Sequence, residues 1–212
     1  MGHATSWLAV AHNDMAVAWA WQGEWEKSIV ELKESRSVRE SLPGFTPDKL
    51  FSPLYHLGLV YAYQGKYDEA EKVLNETIGI WEDAYGPIDT VSLRSAALFY
   101  TRGQVKFSRA DSRRQDIRGS LSDYKEAVTR ATKIAGPRNR STLICKYQLA
   151  KVYAKLGEPK VASYLLDEVL SNTLDKEQYQ RDIARTAFLF IRTTATLAEE
   201  DIATLIPYDM MQ

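Results

Sequence analysis

Histidine and cysteine are the side chains that most often bind metals or act as nucleophiles, and this chain has three histidines and one cysteine. His3, His12 and His56 are far apart in the sequence and too few to specify a metal site. Cys145 has no histidine nearby in the sequence to activate it. We therefore expect partly buried histidines and a packed thiol. The phosphate loop, the dinucleotide-binding glycine motif and the H-E-x-x-H motif are also missing from the sequence, so we expect no cofactor, no bound metal and no enzyme activity.

A basic stretch between residues 102 and 118 is the other candidate for chemistry. Its cations are Arg102, Lys106, Arg109, Arg113, Arg114 and Arg118, and its only acids are Asp111 and Asp116. Such a stretch can hold phosphate or an acidic partner, but a solvated loop is the favoured interpretation. The whole chain has 27 basic and 28 acidic residues, so its net charge of -1 gives no argument for nucleic acid or an anionic membrane.

The elements that carry these residues follow a repeat. Each of the four segments opens at a glycine, continues into an apolar helix and then reaches a turn, with the same spacing in every copy. The openings are Gly2, Gly44, Gly86 and Gly136; the helix centres are Ala16, Gly58, Tyr100 and Ala150; the turns are Gly23, Gly65, Phe107 and Gly157. The first three openings are evenly spaced and the fourth comes later, which indicates an 8-residue insertion in the third copy.

The second copy shows most clearly what each segment folds into. Leu50, Leu54, Leu57 and Tyr61 recur at intervals of three and four, which predicts one apolar side of a helix. Gly65 ends this helix, and a second apolar series follows it up to Gly86 and Pro87. Each segment is therefore predicted to form a helical hairpin that must stack on its neighbours to cover its apolar sides.

The second copy also resembles the tetratricopeptide repeat family, through the runs 57–61 (LGLVY) and 65–70 (GKYDEA). In that family a small residue in the first helix faces an alanine in the second, which implies that Gly58 and Ala70 face each other. The fourth copy fits the same pattern, and the first has the small residue Ala16 but carries Ser28 where alanine is usual. The third departs most, with Tyr100 and Gly103 at the places of the small residue and the tyrosine and Ser120 at the place of the alanine. The 42-residue spacing is similar to the kinesin-light-chain variant found in fungal repeat arrays.

The predicted fold class is all-α, a right-handed solenoid of about four tetratricopeptide-like hairpins plus a C-terminal helix. The repeats occupy residues 1–175, at about 2–43, 44–85, 86–135 and 136–175, and residues 176–212 are predicted to form a capping helix or a partial fifth repeat. The start in register with the repeat suggests a fragment of a larger scaffold or receptor-like protein. No apolar run reaches the ~20 residues of a membrane span, and a cytoplasmic location is the default expectation.

The first helices of stacked hairpins line the concave surface, so counting back from each turn identifies candidate peptide-binding residues. The predicted set is Asn13, Val17, Trp21, Tyr55, Leu59, Tyr63, Arg94, Thr101, Gln104, Tyr147, Lys151 and Lys155. Its N-terminal half is aromatic and its C-terminal half is basic. Aromatic side chains are enriched in binding hot spots, but they also pack between neighbouring first helices, and the sequence leaves both roles open for the aromatic residues.

The expected function is a protein-protein interaction module that binds a peptide or protein, with acidic residues in the partner preferred at the basic end. Self-association of the repeats is a further possibility, and nucleic acid and membranes are not expected partners. The alternative is a small-molecule-binding or catalytic protein that uses the concave cavity, with His12, His56 and an aromatic wall forming the site.

Overall fold

The computed structural model describes residues 2–87, 92–110 and 114–172, and its helices alternate with short turns along these ranges. The helices are α1 Gly2–Trp21, α2 Trp25–Glu40, α3 Phe51–Tyr63, α4 Tyr67–Tyr85, α5 Arg94–Arg109, α6 Arg114–Ala135, α7 Arg140–Lys155 and α8 Pro159–Ser171, with a 3-10 helix at Pro47–Leu50 before α3. No strand occurs in these ranges. The all-α class is confirmed, whereas the capping helix or partial fifth repeat predicted for residues 176–212 lies outside the described residues.

Glycine ends the first helix of three hairpins in the same way. Gly23, Gly65 and Gly157 have φ between 74° and 77°, a left-handed conformation that costs a residue with a side chain more than it costs glycine. The next residue then donates a backbone hydrogen bond back to the helix, as Lys66 does to the Tyr61 carbonyl at 2.9 Å. This closure satisfies carbonyl groups that the helix end leaves without partners.

The third hairpin closes differently, and the turn predicted at Phe107 is wrong. α5 continues through Phe107 to Arg109, and α6 begins at Arg114. The Ser120 hydroxyl donates to the Gly103 carbonyl at 2.9 Å, as the Ser28 hydroxyl donates to the Ala16 carbonyl at 2.8 Å. Gly103, and not Tyr100, is therefore the small residue of the third first helix.

This equivalence divides the 8-residue insertion into two parts. An unbroken 42-residue repeat would put the equivalent of Gly58 at Tyr100, and Gly103 lies three positions later. Three extra residues therefore precede the crossing. Ser120 lies 17 positions after Gly103, whereas Ser28 lies 12 positions after Ala16, so the other five lie between the helices. The shifted register is supported by burial of the matching positions of all four second helices, which are Leu32, Leu74, Tyr124 and Leu166.

The crossing within the second hairpin depends on two small residues, Gly58 and Ala70. A side chain added at Gly58 would meet the Cγ and Cδ2 atoms of Leu74 at 3.0 Å, so Gly58 makes room for Leu74. Ala70 is completely buried one turn earlier on α4. The expectation that Gly58 faces Ala70 stays a prediction, and the positions equivalent to them are hydrogen-bonded in the first and third hairpins.

The contacts divide the chain into two compact units, residues 1–123 and residues 124–212. The first unit contains a cluster of Ala16, Ile29, Leu32 and Val60 where α1, α2 and α3 meet. In the second unit, Ala150 of α7 packs against Ala162 and Leu166 of α8. Small side chains at each crossing let the helix backbones approach closely and place the larger residues beside them.

Candidate functional site

An apolar cavity of about 480 Å³ opens between α1, α2 and α3 of the first unit. Its lining residues are Ala16, Val17, Ala20, Trp21, Trp25, Ser28, His56, Leu59, Val60 and Tyr63. Four of them, Val17, Trp21, Leu59 and Tyr63, were predicted as binding residues from their positions before the turns. They converge because Val17 and Leu59 occupy equivalent positions of the two first helices, and so do Trp21 and Tyr63.

Two aromatic rings at the edge of this cavity are unusually exposed. Trp21 is 88% exposed and Tyr63 is 71% exposed, although each ring would gain free energy on leaving water. Trp25 lies nearly parallel to Tyr63, with 6.1 Å between the ring centroids, and supports it from α2. Tyr55, by contrast, packs on Phe51, with 5.4 Å between the ring centroids.

His56 contributes a polar ring to the cavity wall, and it was not among the predicted peptide-binding residues. His56 Nδ1 and Asn13 Oδ1 are 3.0 Å apart, and the Asn13 amide nitrogen donates to Asp14 at 3.5 Å. Burial lowers the pKa of His56 below 6.5, against a smaller opposing effect of Asp14, so the ring is neutral at pH 7. Asn13, a predicted binding residue, is buried and serves to orient His56.

The two histidines considered for an internal site are bonded to different groups. His12 Nδ1 lies 2.6 Å from the Glu31 carboxylate, on the α1–α2 contact. His56 bonds to Asn13 instead. No group of histidine, cysteine and carboxylate side chains suited to a metal ion occurs in the described part of the chain.

The third hairpin contributes less to this surface than the sequence predicted. Thr101 is only 2% exposed, and its hydroxyl donates to the Tyr55 hydroxyl at 3.3 Å. Arg94 is exposed, and its guanidinium lies 5.1 Å from the centroid of the Phe51 ring. Gln104 is exposed as well, and the shifted register makes it the equivalent of Val17 and Leu59. Thr101 was selected because the unshifted register put it one turn too early.

The basic residues predicted at the C-terminal end lie on α7 of the second unit. Lys155 is exposed and Lys151 is half-buried, with its ammonium 5.9 Å from the centroid of the Tyr147 ring. Tyr147 packs against the core cluster of that unit. Of the three predicted residues, the two lysines reach the surface most directly.

Most of the basic stretch 102–118 is helical where the structure describes it, and Arg102, Lys106 and Arg109 are paired with carboxylates. Arg109 donates to Asp116 and Glu71 at 2.5 Å each and also bonds to Asp68. Arg102 makes a two-pronged contact with Asp123, at 3.0 and 2.6 Å. Lys106 lies 2.9 Å from Asp123 and 3.5 Å from Glu71. The count of acidic residues within 102–118 missed Asp68, Glu71 and Asp123, because these residues lie on α4 or further along α6.

Cys145 is buried on α7, as the sequence predicted for a packed thiol. It is 5% exposed, and burial raises the pKa of the thiol to about 12. The thiolate is the reactive form, so this side chain is inert at neutral pH.

None of the described helices is long and apolar enough to cross a bilayer.

Comparison with known proteins agrees with this architecture. Residues 7–83, which contain the cavity, match the sequence profile described as tetratricopeptide repeat. They are tetratricopeptide repeats. A search of curated protein sequences gives no match.

Solved structures extend the similarity of fold over most of the chain. BtubC (BKLC) from P. vanneervenii is 14% identical with a TM-score of 0.81, over 92% of this chain and 74% of that one. The putative kinesin light chain repeats of Podosopora anserina are 14% identical with a TM-score of 0.73, over 94% of this chain and 91% of that one. RapI in its apo form is 12% identical with a TM-score of 0.71, over 97% of this chain and 52% of that one. These matches confirm the predicted class of stacked tetratricopeptide hairpins and the resemblance to kinesin-light-chain-like repeats.

The tetratricopeptide fold is generally a protein-interaction module, and proteins built from it are typically non-catalytic scaffolds. The exposed rings, the apolar cavity and the inert thiol are consistent with that use.

Proposed function

We propose that this chain binds a protein partner through the cavity of the first unit, which accepts an apolar side chain of an extended peptide. The observation that carries the proposal is that two exposed rings, Trp21 and Tyr63, line a mainly apolar opening. An exposed patch of this kind marks an interaction site, because large rings bury much area at a small cost in side-chain entropy. The cavity volume is within the range of sites that enclose a side chain or a small ligand.

A second contact is proposed on α7, where Lys151 and Lys155 favour an aspartate, a glutamate or a phosphorylated residue of the partner. Two lysines one helical turn apart attract an anionic group over a distance set by the ionic strength. The partner would therefore combine an apolar anchor with acidic residues. A cytoplasmic protein partner is part of the same proposal.

The alternative of a small-molecule or catalytic site has less support. Of the side chains that line the cavity, His56 is the one imidazole, and its hydrogen-bond partner is an amide rather than a carboxylate or a nucleophile. The other histidine of that hypothesis, His12, bonds to Glu31. Nucleophilic catalysis needs an activated nucleophile, and the Ser28 hydroxyl in the wall donates to the Ala16 carbonyl instead.

The proposal is tested with peptides selected from a randomised library and measured by fluorescence anisotropy. Tyr63→Ala should weaken their binding by about tenfold, because it removes contact area at the cavity edge. Tyr164→Ala is the matched control, since Tyr164 on α8 is also 71% exposed but does not line the cavity. Equal affinities for the two variants and the unaltered chain would reject the cavity as the binding site.

The proposed contact on α7 is separated from the cavity by its dependence on salt. Lys151→Glu combined with Lys155→Glu should weaken the binding of acidic peptides strongly at low ionic strength and only slightly at high ionic strength. The loss caused by Tyr63→Ala should change little between the two conditions. A double lysine variant that binds as tightly as the unaltered chain at low salt would remove α7 from the proposal.

A further inference from the structure

The two ring nitrogens of His56 have different surroundings. Nδ1 lies 3.0 Å from Asn13 Oδ1, and an amide oxygen accepts hydrogen bonds but cannot donate them. The Asn13 amide nitrogen donates to the Asp14 carboxylate at 3.5 Å, which keeps the amide oxygen on the side of His56. Burial lowers the pKa of His56, with a smaller opposing effect of Asp14, so the ring is neutral at pH 7. Nδ1 therefore carries the one ring proton, and Nε2 is left as an acceptor.

Nε2 of His56 is available to a molecule in the cavity. It has no hydrogen-bond partner in the ranges 2–87, 92–110 and 114–172, and it is not one of the atoms closed off from solvent. The ring is held in place from two sides, by the bond to Asn13 and by the Tyr55 ring, with 5.7 Å between the ring centroids. The mainly apolar cavity thus has a positioned hydrogen-bond acceptor in its wall.

The other polar side chains of the wall do not provide an equivalent acceptor. Ser28 is completely buried, and its hydroxyl donates to the Ala16 carbonyl. Trp21 and Trp25 each have an indole N–H, which donates and cannot accept. Tyr63 is 71% exposed, so water can bond to its hydroxyl at the edge of the cavity. A donor that enters the cavity therefore finds its acceptor in the imidazole.

We propose that the partner places a tyrosine or a tryptophan in the cavity, and that the single N–H or O–H donor of this ring bonds to Nε2 of His56. The inference rests on the proposed peptide binding and names the side chain that the cavity takes. Phenylalanine, leucine or methionine would fill the space but would cover Nε2 without giving it a partner, which costs free energy.

The number of donors excludes the more polar side chains. One acceptor in an apolar enclosure satisfies one donor, whereas a lysine ammonium has three and a glutamine amide has two together with an acceptor. The groups left over would be buried without partners. Serine and threonine have one donor each, but they would fill little of a cavity of about 480 Å³ and have no ring to contact Trp21 and Tyr63.

Paired peptides test the choice of side chain. Peptides are selected from two libraries, one with tyrosine and one with tryptophan at a fixed central position, and their binding is measured by fluorescence anisotropy. Tyrosine is then replaced by phenylalanine, and tryptophan by benzothienylalanine, which has sulfur in place of the N–H. At least one replacement should weaken binding by about tenfold, because it removes the donor and little else.

The cavity variant Tyr63→Ala separates failure of this inference from failure of the proposed function. If neither replacement weakens binding and Tyr63→Ala does, the cavity binds the peptide but does not read its donor, and the inference is wrong. If no peptide binds, or if Tyr63→Ala has no effect on those that do, the proposed function is rejected and the inference with it.

Variants of the two α-helical histidines identify the acceptor. In His56→Leu the original and the replaced peptides should bind equally well, because the acceptor is gone. His56→Gln offers an amide oxygen and should keep part of the difference. His12→Leu is the matched control, since His12 bonds to Glu31 and does not line the cavity, and it should keep the whole difference. A difference that persists in His56→Leu would mean that the donor bonds elsewhere.

Nitrogen-15 NMR tests the bond in the unaltered chain. The probes are p-cresol, which has the ring and hydroxyl of tyrosine, and toluene, which lacks the hydroxyl. The Nε2 resonance of His56, assigned by its loss in His56→Gln, should be that of an unprotonated nitrogen and should shift on addition of p-cresol much more than on addition of toluene. A proton on Nε2 in the free chain, or equal shifts with the two probes, would overturn the inference.

Discussion

The cavity region of α1 and α3 and the neighbouring contact of α4, α5 and α6 use their functional groups in different ways. Around the cavity, Trp21 and Tyr63 remain exposed, and the polar groups of the wall are few. Between α4, α5 and α6, Arg109 and Arg102 are largely enclosed and matched by carboxylates. The first region leaves apolar side chains exposed, whereas the charges of the second region pair with one another and join its helices.

This difference follows from what the two kinds of group lose on exposure. Exposing a ring costs only the free energy of leaving its apolar area in water, so a surface can keep exposed rings when no partner is bound. A guanidinium that is enclosed without carboxylates would lose its hydration and gain nothing in return. The third hairpin combines the longer connection between α5 and α6 with the ion pairs of Arg102, Lys106 and Arg109.

The largest expected effect comes from breaking the ion pairs. Arg109→Ala should lower the free energy of unfolding by about 2–4 kcal/mol, because it leaves the buried Asp116 without its cation. Arg36→Ala is the control, since Arg36 pairs with Glu40 and Glu76 at an exposed site and should cost about 0.5 kcal/mol or less. Urea unfolding of both variants measures the difference. Equal costs would show that the ion pairs of Arg109 are no more than surface contacts.

A smaller change in the free energy of unfolding is expected at the crossing of α3 and α4. At this crossing, α3 of the cavity region packs on α4 of the ion-pair region. Ala70 is 0% exposed, so Ala70→Leu should overpack the crossing and lower the free energy of unfolding by about 1–3 kcal/mol. Gly79→Ala on the same helix is the control, because a side chain there meets no atom within 4 Å and should stabilise α4 by about 0.5–1 kcal/mol. Thermal unfolding that ranks the two variants in the opposite order would contradict the packing described at this crossing.

The smallest expected effect concerns the cavity wall and depends on pH. Burial lowers the pKa of His56 below 6.5, so the unfolded chain takes up a proton there more readily than the folded chain. The stability that His56 contributes is therefore complete above about pH 6.5 and is lost as the pH falls below that value. His56→Gln should flatten this part of the stability profile relative to the unaltered chain. Profiles with the same slope for the two proteins would mean that burial does not favour the neutral ring.

The sequence alone determined the hairpins of the first, second and fourth copies. Apolar residues recur with the period of a helix, and Gly23, Gly65 and Gly157 occupy places where a helix end needs a left-handed residue. Both signals are local, because they depend on neighbours within a few residues along the chain. Val17, Trp21, Leu59 and Tyr63 could be selected for the same reason, once the turns fixed the register.

Only the tertiary structure decided the register of the third copy and the partners of its charges. That copy has no glycine at its turn, so the sequence placed the turn at Phe107, whereas Ser120 bonds to Gly103 and sets a register three residues later. Arg109 finds Asp68 and Glu71 about 40 positions earlier in the sequence, because α4 packs beside α5. Such contacts depend on which helices become neighbours after folding, and a local pattern of residues does not contain that information.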